Sequence, residues 1–499
     1  MQKALAIGGA SSGSGKTTFS IGLMNALIKR GIDVAPFKVG PDYIDPMFHR
    51  HVTKKKAYNL PVWMLDDMTT AYLFEKRMAA ESFAIVEGVM GYYDGHKTDS
   101  FAGSTAHVAA LLNIPAIIIF DASSMSLSAA AIVHGFSTFK ANSMIKGVVL
   151  NNVASEMHYQ MLKQGIEHFT EIKCYGYLKK DERVKLGSRH LGLLQAEEID
   201  DLDEKVDYIS EQIEATVNVD AIIEDFVYES PKPDYSVLYA SEAVSQSSFD
   251  DASKETLTAS AKQDTECSYR KKKAEIDLKL ESMKKRIAAM DGLTVGIAMD
   301  KSFSFYYDEN VETLKELGIT LVPISPIKDS EIPDNCDGLY IGGGYPEVFA
   351  KELEMNASFR KALKTALGSG MPCYAECGGL MYLTACIDNG KNTYDAVGFF
   401  PAKSEMTNKL QRFGLINVTM KDFMSCTLTF RAHEFHKSLI TDDEPIDKKY
   451  HIVKGSRSWT CGYQKEHTLG TYAHQHFYSN LDFLSLLIDL WGINKPINQ

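Results

Sequence analysis

Near the start of the chain, Gly9-Ala10-Ser11-Ser12-Gly13-Ser14-Gly15-Lys16-Thr17-Thr18 follows an apolar run and opens a helical pattern from Phe19 to Lys29. This is where a triphosphate fits. The backbone N–H groups of a turn carrying Gly13 and Gly15, and of the helix start at Thr17 and Thr18, face an anion, Lys16 reaches its β and γ oxygens, and Thr17 can hold Mg²⁺. Ala10 stands where the pattern GxxxxGK[ST] has its first glycine, with Gly9 one place earlier. The competing reading is a Gly/Ser turn that binds nothing; a strand before and a helix after favour nucleotide binding. Mg²⁺ needs hard oxygen ligands, and two places supply them. Glu87 closes the apolar run FAIVE, and Asp42 and Asp45 lie in KVGPDYIDP, just after another apolar run. Acids at the carboxyl ends of parallel strands enter the ligand crevice, whereas Asp beside proline also simply caps turns. Lys38 of the same segment is a second cation for a transferred phosphate or a substrate carboxylate.

A second chemistry sits at PCYAECGGL, 372–380. An apolar strand leads to Cys377 on a sharp turn and then to Gly-Gly and a helical pattern. This is the cysteine form of a nucleophile elbow, with the thiol at a helix N-terminus that favours thiolate. The N–H groups of Gly343 and Gly344, in a glycine run that also follows a strand, are suited to an oxyanion together with that of Gly378. A thiol nucleophile needs a base, and among 14 histidines His474 in GTYAHQHF is the best placed. His433 and His436, with Glu434 between them, form a cluster, but two histidines without a third ligand are weak evidence for zinc.

Two sets of elements must position these residues. Apolar runs at LAIGG, 34–40, 83–89, 116–123 and 147–153 alternate with helical stretches, the rhythm of a doubly wound parallel sheet. The rhythm resumes at 293–300, 319–326, 338–344 and 372–379. Between the two α/β units, 228–291 changes character: its first half is Ser/Thr/acid-rich, like a flexible connector, and its second half is highly charged with the spacing of a solvated helix. The expected division is therefore 1–227, a linker at 228–291, and 292–499.

The chain has 499 residues, 53 Lys+Arg against 65 Asp+Glu, and 8 cysteines without a CxxC pair. A net charge of −12 argues against nucleic acid or an anionic membrane as the main partner. The cysteine pattern and the absence of a signal-peptide profile point to a reducing, cytoplasmic setting. No apolar run approaches the length of a spanning helix.

These motifs together resemble the cobyrinic acid a,c-diamide synthase family of glutamine-dependent ligases. The segments that carry the likeness are SSGSGKTT, FKVGPDYIDP, VEGVMGYYDG, VVLNNV, SRHLGLLQAEE, GGGYPE, AECGGLMYL, HEFHKS and YAHQHF. The resemblance implies two Rossmann-like domains, an ATP-binding amidoligase of P-loop, dethiobiotin synthetase-like type followed by a class I glutamine amidotransferase-like domain. It implies amidation of the a and c carboxylates of cobyrinate through an acyl phosphate, with MgATP and glutamine consumed and Cys377 and His474 catalytic. It places Asn151 where related ATP domains read the base, and nominates Tyr43, Asp94, Arg189 and His190 for the corrinoid. A homodimer is compatible with it. Position 476 is His where the amidotransferase class carries the Glu of its triad, and Pro61 stands where the family tends to have Asp. Hydrogenobyrinate and nickel-sirohydrochlorin remain alternative substrates. A partition-type ATPase switch or a stand-alone thiol hydrolase would each leave one of the two motifs without work.

Overall fold

The computed structural model describes residues 2–78, 82–140, 143–184, 186–189, 192–228, 259–442 and 444–496. It divides into two compact units, Met1–Lys273 and Ala274–Gln499. In the first unit β1 (Gln2–Gly9), β2 (Val34–Val39), β3 (Tyr58–Leu60), β4 (Phe83–Glu87), β5 (Ala116–Asp121), β6 (Ile145–Val153) and β7 (Lys173–Lys179) make a parallel sheet in the order β3-β2-β4-β1-β5-β6-β7. The short strand Val227–Tyr228 joins it antiparallel to β1. Every residue of β2 and of β4 is buried. That is why these runs are apolar without alternation: both faces are covered. β1 lies between β4 and β5, the switch point at which such a sheet opens a crevice beyond its carboxyl ends. Helix α1 (Lys16–Lys29) starts there, and α2 (Ile44–Thr53) follows β2.

The sequence reading finds β1, β2, β4, β5 and β6 but passes over β3 and β7. β3 is three residues long, and β7, KCYGYLK, interrupts its apolar residues with glycine and has lysine at both ends. Neither looks like a buried run.

The second unit opens with the strands expected: Leu293–Ala298, Ile319–Ile324, Gly338–Ile341 and Cys373–Glu376. A fifth parallel strand, Thr468–Thr471, joins beside Cys373–Glu376. From there the sheet continues antiparallel through Arg457–Lys465, Asp447–Lys454, Arg412–Phe423 and Cys426–His436. This extension alternates buried and exposed residues, the pattern of a sheet with one face wet. The sequence reading did not assign it.

The charged stretch forms a helix, Ala259–Ala289. It is not simply solvated. Ile276, Met283 and Ile287 fall on one stripe and are buried, and Arg286 of the same helix pairs with Asp489 and donates to Ser485 Oγ at 2.8 Å. Abundant charge conceals that stripe in the composition. The connector reading of the first half, 229–258, lies outside the described residues. Among the described residues no helix is long and apolar enough to cross a membrane.

Candidate active sites

At the end of β1 the chain turns through Ser11–Gly15 into α1. Gly15 holds φ at +100°, a left-handed conformation that costs side chains other than glycine, and a Cβ there would meet the Asn151 amide at 2.4 Å. Asn151, within β6 rather than after it, donates through Nδ2 to Ser14 O at 3.0 Å and so braces the loop. Lys16 Nζ donates to Met90 O (2.6 Å) and Ser11 O (3.1 Å), and Thr18 follows in the first turn of α1. Thr17 Oγ1 donates to Glu87 Oε1 at 2.8 Å, which joins the loop to the acid that ends β4.

Glu87 is fully buried and lies opposite Lys38 in the β2–β4 ladder. Lys38 Nζ donates to Glu87 Oε1 (2.9 Å), Asp45 Oδ2 (2.5 Å) and Gly88 O (3.0 Å). The other Glu87 oxygen hydrogen-bonds His49 Nε2 at 2.7 Å. Burial opposes charge on both Lys38 and Glu87. The attraction of Asp45 and Glu87 outweighs it at Lys38, and that of Lys38 and His49 outweighs it at Glu87, so amine and carboxylate are both held ionised. Asp45 is pushed the other way by burial and by the charge of Asp42. Lys16 lies below its ordinary value because of burial and the neighbouring Lys38. The donor set fits Mg²⁺: Thr17 Oγ1 and Glu87 offer hard oxygens 2.8 Å apart, with Asp45 one lysine away. Asp42 Oδ1 accepts from Ile44 N at 2.8 Å and starts α2, the capping use the sequence reading set against metal binding.

The thiol site is built on strain. Cys377 has φ +46° and ψ −100°, a conformation that costs about 1–3 kcal/mol and persists only where its surroundings hold it. Cys377 N donates to Thr471 O at 2.6 Å, and Gly379 N to Gly342 O at 3.1 Å. The helix Gly378–Leu383 then begins at the thiol. His474 hydrogen-bonds Cys377, and its ring lies over the Gly343 backbone, where a Cβ would be 2.6 Å from Cε1. Gly378 in turn abuts Gly344, whose N would be 3.0 Å from a Cβ at Gly378. The elbow, the base and the glycine run thus converge as expected.

Behind His474 stands Glu376. Its Oε2 is 3.7 Å from His474 Nδ1, and the carboxylate accepts from Tyr374 OH (2.8 Å), Gln475 N (3.2 Å) and Tyr340 OH (3.2 Å). Burial opposes charge on His474, but Cys377 and Glu376 overcome it and push the imidazole up to about 10. The residue at 476, where the class keeps a Glu, is a buried histidine held neutral by burial, with a value near 3. The acid behind the base therefore comes from the residue just before the nucleophile. Cys–His–carboxylate geometry suits amide hydrolysis through a thioester.

Residues 5–194 match the model of the CobQ/CobB/MinD/ParA nucleotide binding domain, and 294–481 that of the CobB/CobQ-like glutamine amidotransferase domain. A cobyrinate a,c-diamide synthase of Clostridium tetani is 39% identical over 98% of this chain and the whole of its own length. One of Streptococcus sanguinis is 38% identical over 98% of each chain. The chain belongs to the cobyrinate a,c-diamide synthase family. It is an α/β ligase of the glutamine amidotransferase kind, carrying the nucleotide-binding domain of that family.

The family match covers both sites, and the geometry adds residues that sequence reasoning missed. His49 lies four places after Asp45, on the same face of α2, and that spacing was its signal. Glu376 is an acid inside a fully buried strand, which was its signal. Of the residues nominated for the corrinoid, Tyr43 precedes α2, and Asp94 accepts from Gly91 N at 2.8 Å in the turn after β4. The Arg189 side chain and His190 lie outside the described residues. The His433–His436 cluster shows no metal geometry: His436 stacks on Tyr472 at 3.7 Å, and the described residues contain no group of three ligands.

Proposed function

We propose that the chain amidates the a and c carboxylates of cobyrinate with ammonia released from glutamine, within cobalamin biosynthesis. The observation that carries this is the presence, in one chain, of a P-loop joined to the acid Glu87 and an elbow thiol backed by His474 and Glu376. In the glutaminase unit the Cys377 thiolate attacks the side-chain amide of glutamine. The imidazolium of His474 donates a proton to the departing ammonia, and N–H groups of Gly343, Gly344 and Gly378 face the oxyanion. Water then hydrolyses the thioester with His474 as base, releasing glutamate.

In the nucleotide unit the loop residues Gly13, Gly15, Lys16, Thr17 and Thr18 hold ATP, and a substrate carboxylate takes the γ-phosphoryl group. The acyl phosphate formed accepts ammonia and loses phosphate, giving one amide per ATP. Thr17 and Glu87, with Asp42 and Asp45, would hold Mg²⁺, which neutralises phosphate charge when bound. Lys38 meets the transferred phosphate, and Asn151 keeps the loop in place. Tyr43, Asp94, Arg189 and His190 are assigned to the corrinoid. On this reading 1–227 is the amidoligase, 292–499 the glutaminase and 228–291 the connector. The cytoplasm, which supplies ATP and glutamine, is the fitting location.

The test is turnover with cobyrinate, hydrogenobyrinate and nickel-sirohydrochlorin in turn. ATP consumption that needs both glutamine and cobyrinate is the expected result. Inactivity on both corrinoids would overturn the substrate assignment.

A further inference from the structure

The glutaminase unit contains a buried acid that this chemistry leaves without work. Glu434, in the strand Cys426–His436, is 1% exposed, and neither carboxylate oxygen has a hydrogen-bond donor among the described residues. Within 4 Å the ion-pair partner recorded among them is His436, whose Nε2 is 3.9 Å away and whose Nδ1 is engaged with Ser438 O at 2.8 Å. A carboxylate taken out of water without donors is costly, so its place in a folded core calls for a donor that arrives from outside.

Glu434 lies against the thiol site. Its neighbour His433 exchanges two backbone hydrogen bonds with His474, at 3.1 and 2.8 Å. Ser438, further along the chain, hydrogen-bonds Tyr472 OH at 2.8 Å and the sulfur of Met381 at 3.3 Å, in the helix that Cys377 opens. A cation lies on the same face of the sheet. Glu434 pairs with Gly414 across the ladder, and a Cβ at Gly414 would be 2.7 Å from Lys454 Nζ, so Lys454 crosses a place that the missing side chain leaves open. Lys454 Nζ donates to Phe413 O.

Glutamine is a zwitterion, and a site that hydrolyses its side-chain amide must hold an ammonium and a carboxylate at the other end. That calls for an anion and a cation close together near the thiol. We propose that Glu434 accepts the α-ammonium group of glutamine and Lys454 its α-carboxylate, making this pair the element that selects the amino acid. The proposal rests on Cys377 being the glutaminase nucleophile.

The test uses the full-length enzyme with three amides: glutamine, glutaramate, which lacks the ammonium group, and 4-aminobutyramide, which lacks the carboxylate. The wild type should prefer glutamine over each analogue by roughly 100-fold in kcat/KM. Glu434→Gln should raise the glutamine KM by roughly 10- to 100-fold with kcat little changed, and leave glutaramate hydrolysis as it was. Lys454→Met should abolish the discrimination against 4-aminobutyramide alone. An equal loss on all three amides in Glu434→Gln, as a purely structural Glu434–His436 pair would give, overturns the proposal. So does a wild type that hydrolyses glutaramate as well as glutamine, a result that needs no variant to fold. The nucleophile reading is checked separately: amide hydrolysis that survives in Cys377→Ser sinks it whatever Glu434 does.

Discussion

In the nucleotide unit a buried amine, Lys38, already bonds the acids that converge on the loop, whereas in the glutaminase unit the acid Glu376 backs an imidazole that must shuttle a proton. The two arrangements use the same physics to different ends. Around Glu87 every nearby charge has a partner before any ligand arrives, so binding polyphosphate must exchange one set of neutralising contacts for another. Around Cys377 the charges form an imidazolium–thiolate pair under backbone strain, ready to react, and Glu434 stands nearby without a donor among the described residues. A site that receives a polyanion with its cation is kept electrically quiet when free. A site that does nucleophilic chemistry holds its charge separation in place.

The largest test of that contrast is Cys377→Ala. Glutamine-dependent amidation should fall by about 10⁴-fold or more while ammonia-dependent amidation continues, measured side by side on one preparation. Equal loss of both would mean that the sites do not act separately. Next in size, Lys16→Ala should lower the ammonia-dependent reaction by roughly 10²- to 10³-fold through lost phosphate stabilisation. An unchanged rate there would remove the loop from the chemistry.

Glu376→Gln should cost roughly 10- to 100-fold in glutaminase kcat, with a displaced pH profile. Glu376 helps to hold the His474 imidazolium up to about 10, so its loss moves the alkaline limb of activity to lower pH. A rate loss without that displacement would leave Glu376 a merely structural acid. The smallest effect concerns His476. Burial keeps its ring neutral, with a value near 3, while in the unfolded chain it titrates near 6.5. Between those values the unfolded state binds more protons, so stability is lost as the pH falls below about 6.5. His476→Phe should therefore flatten the acid-side decline of the melting temperature, and an unchanged slope would count against a buried neutral ring.

Much of both sites was legible in the residues. The loop from Gly13 to Thr18, the elbow at Cys377 and the acids ending β2 and β4 are local signals, because a turn, a helix start or a strand end is set by neighbours in the chain. Glu376 and His49 were not found, since their roles depend on partners 98 and 38 positions away: His474 and Glu87. The antiparallel half of the second sheet escaped for a related reason. Its strands alternate as any half-exposed strand does, and nothing local says which sheet they extend.

The sequence by itself determined that the chain carries a phosphate loop and an activated thiol in two α/β units, because each is encoded over a few consecutive residues whose backbone needs are unambiguous. Only the tertiary structure decided which acid stands behind the histidine, which cation answers Glu87, and that Glu434 is buried beside the thiol site. Charges are sensitive to distance and burial, and both are properties of the folded chain rather than of residue order.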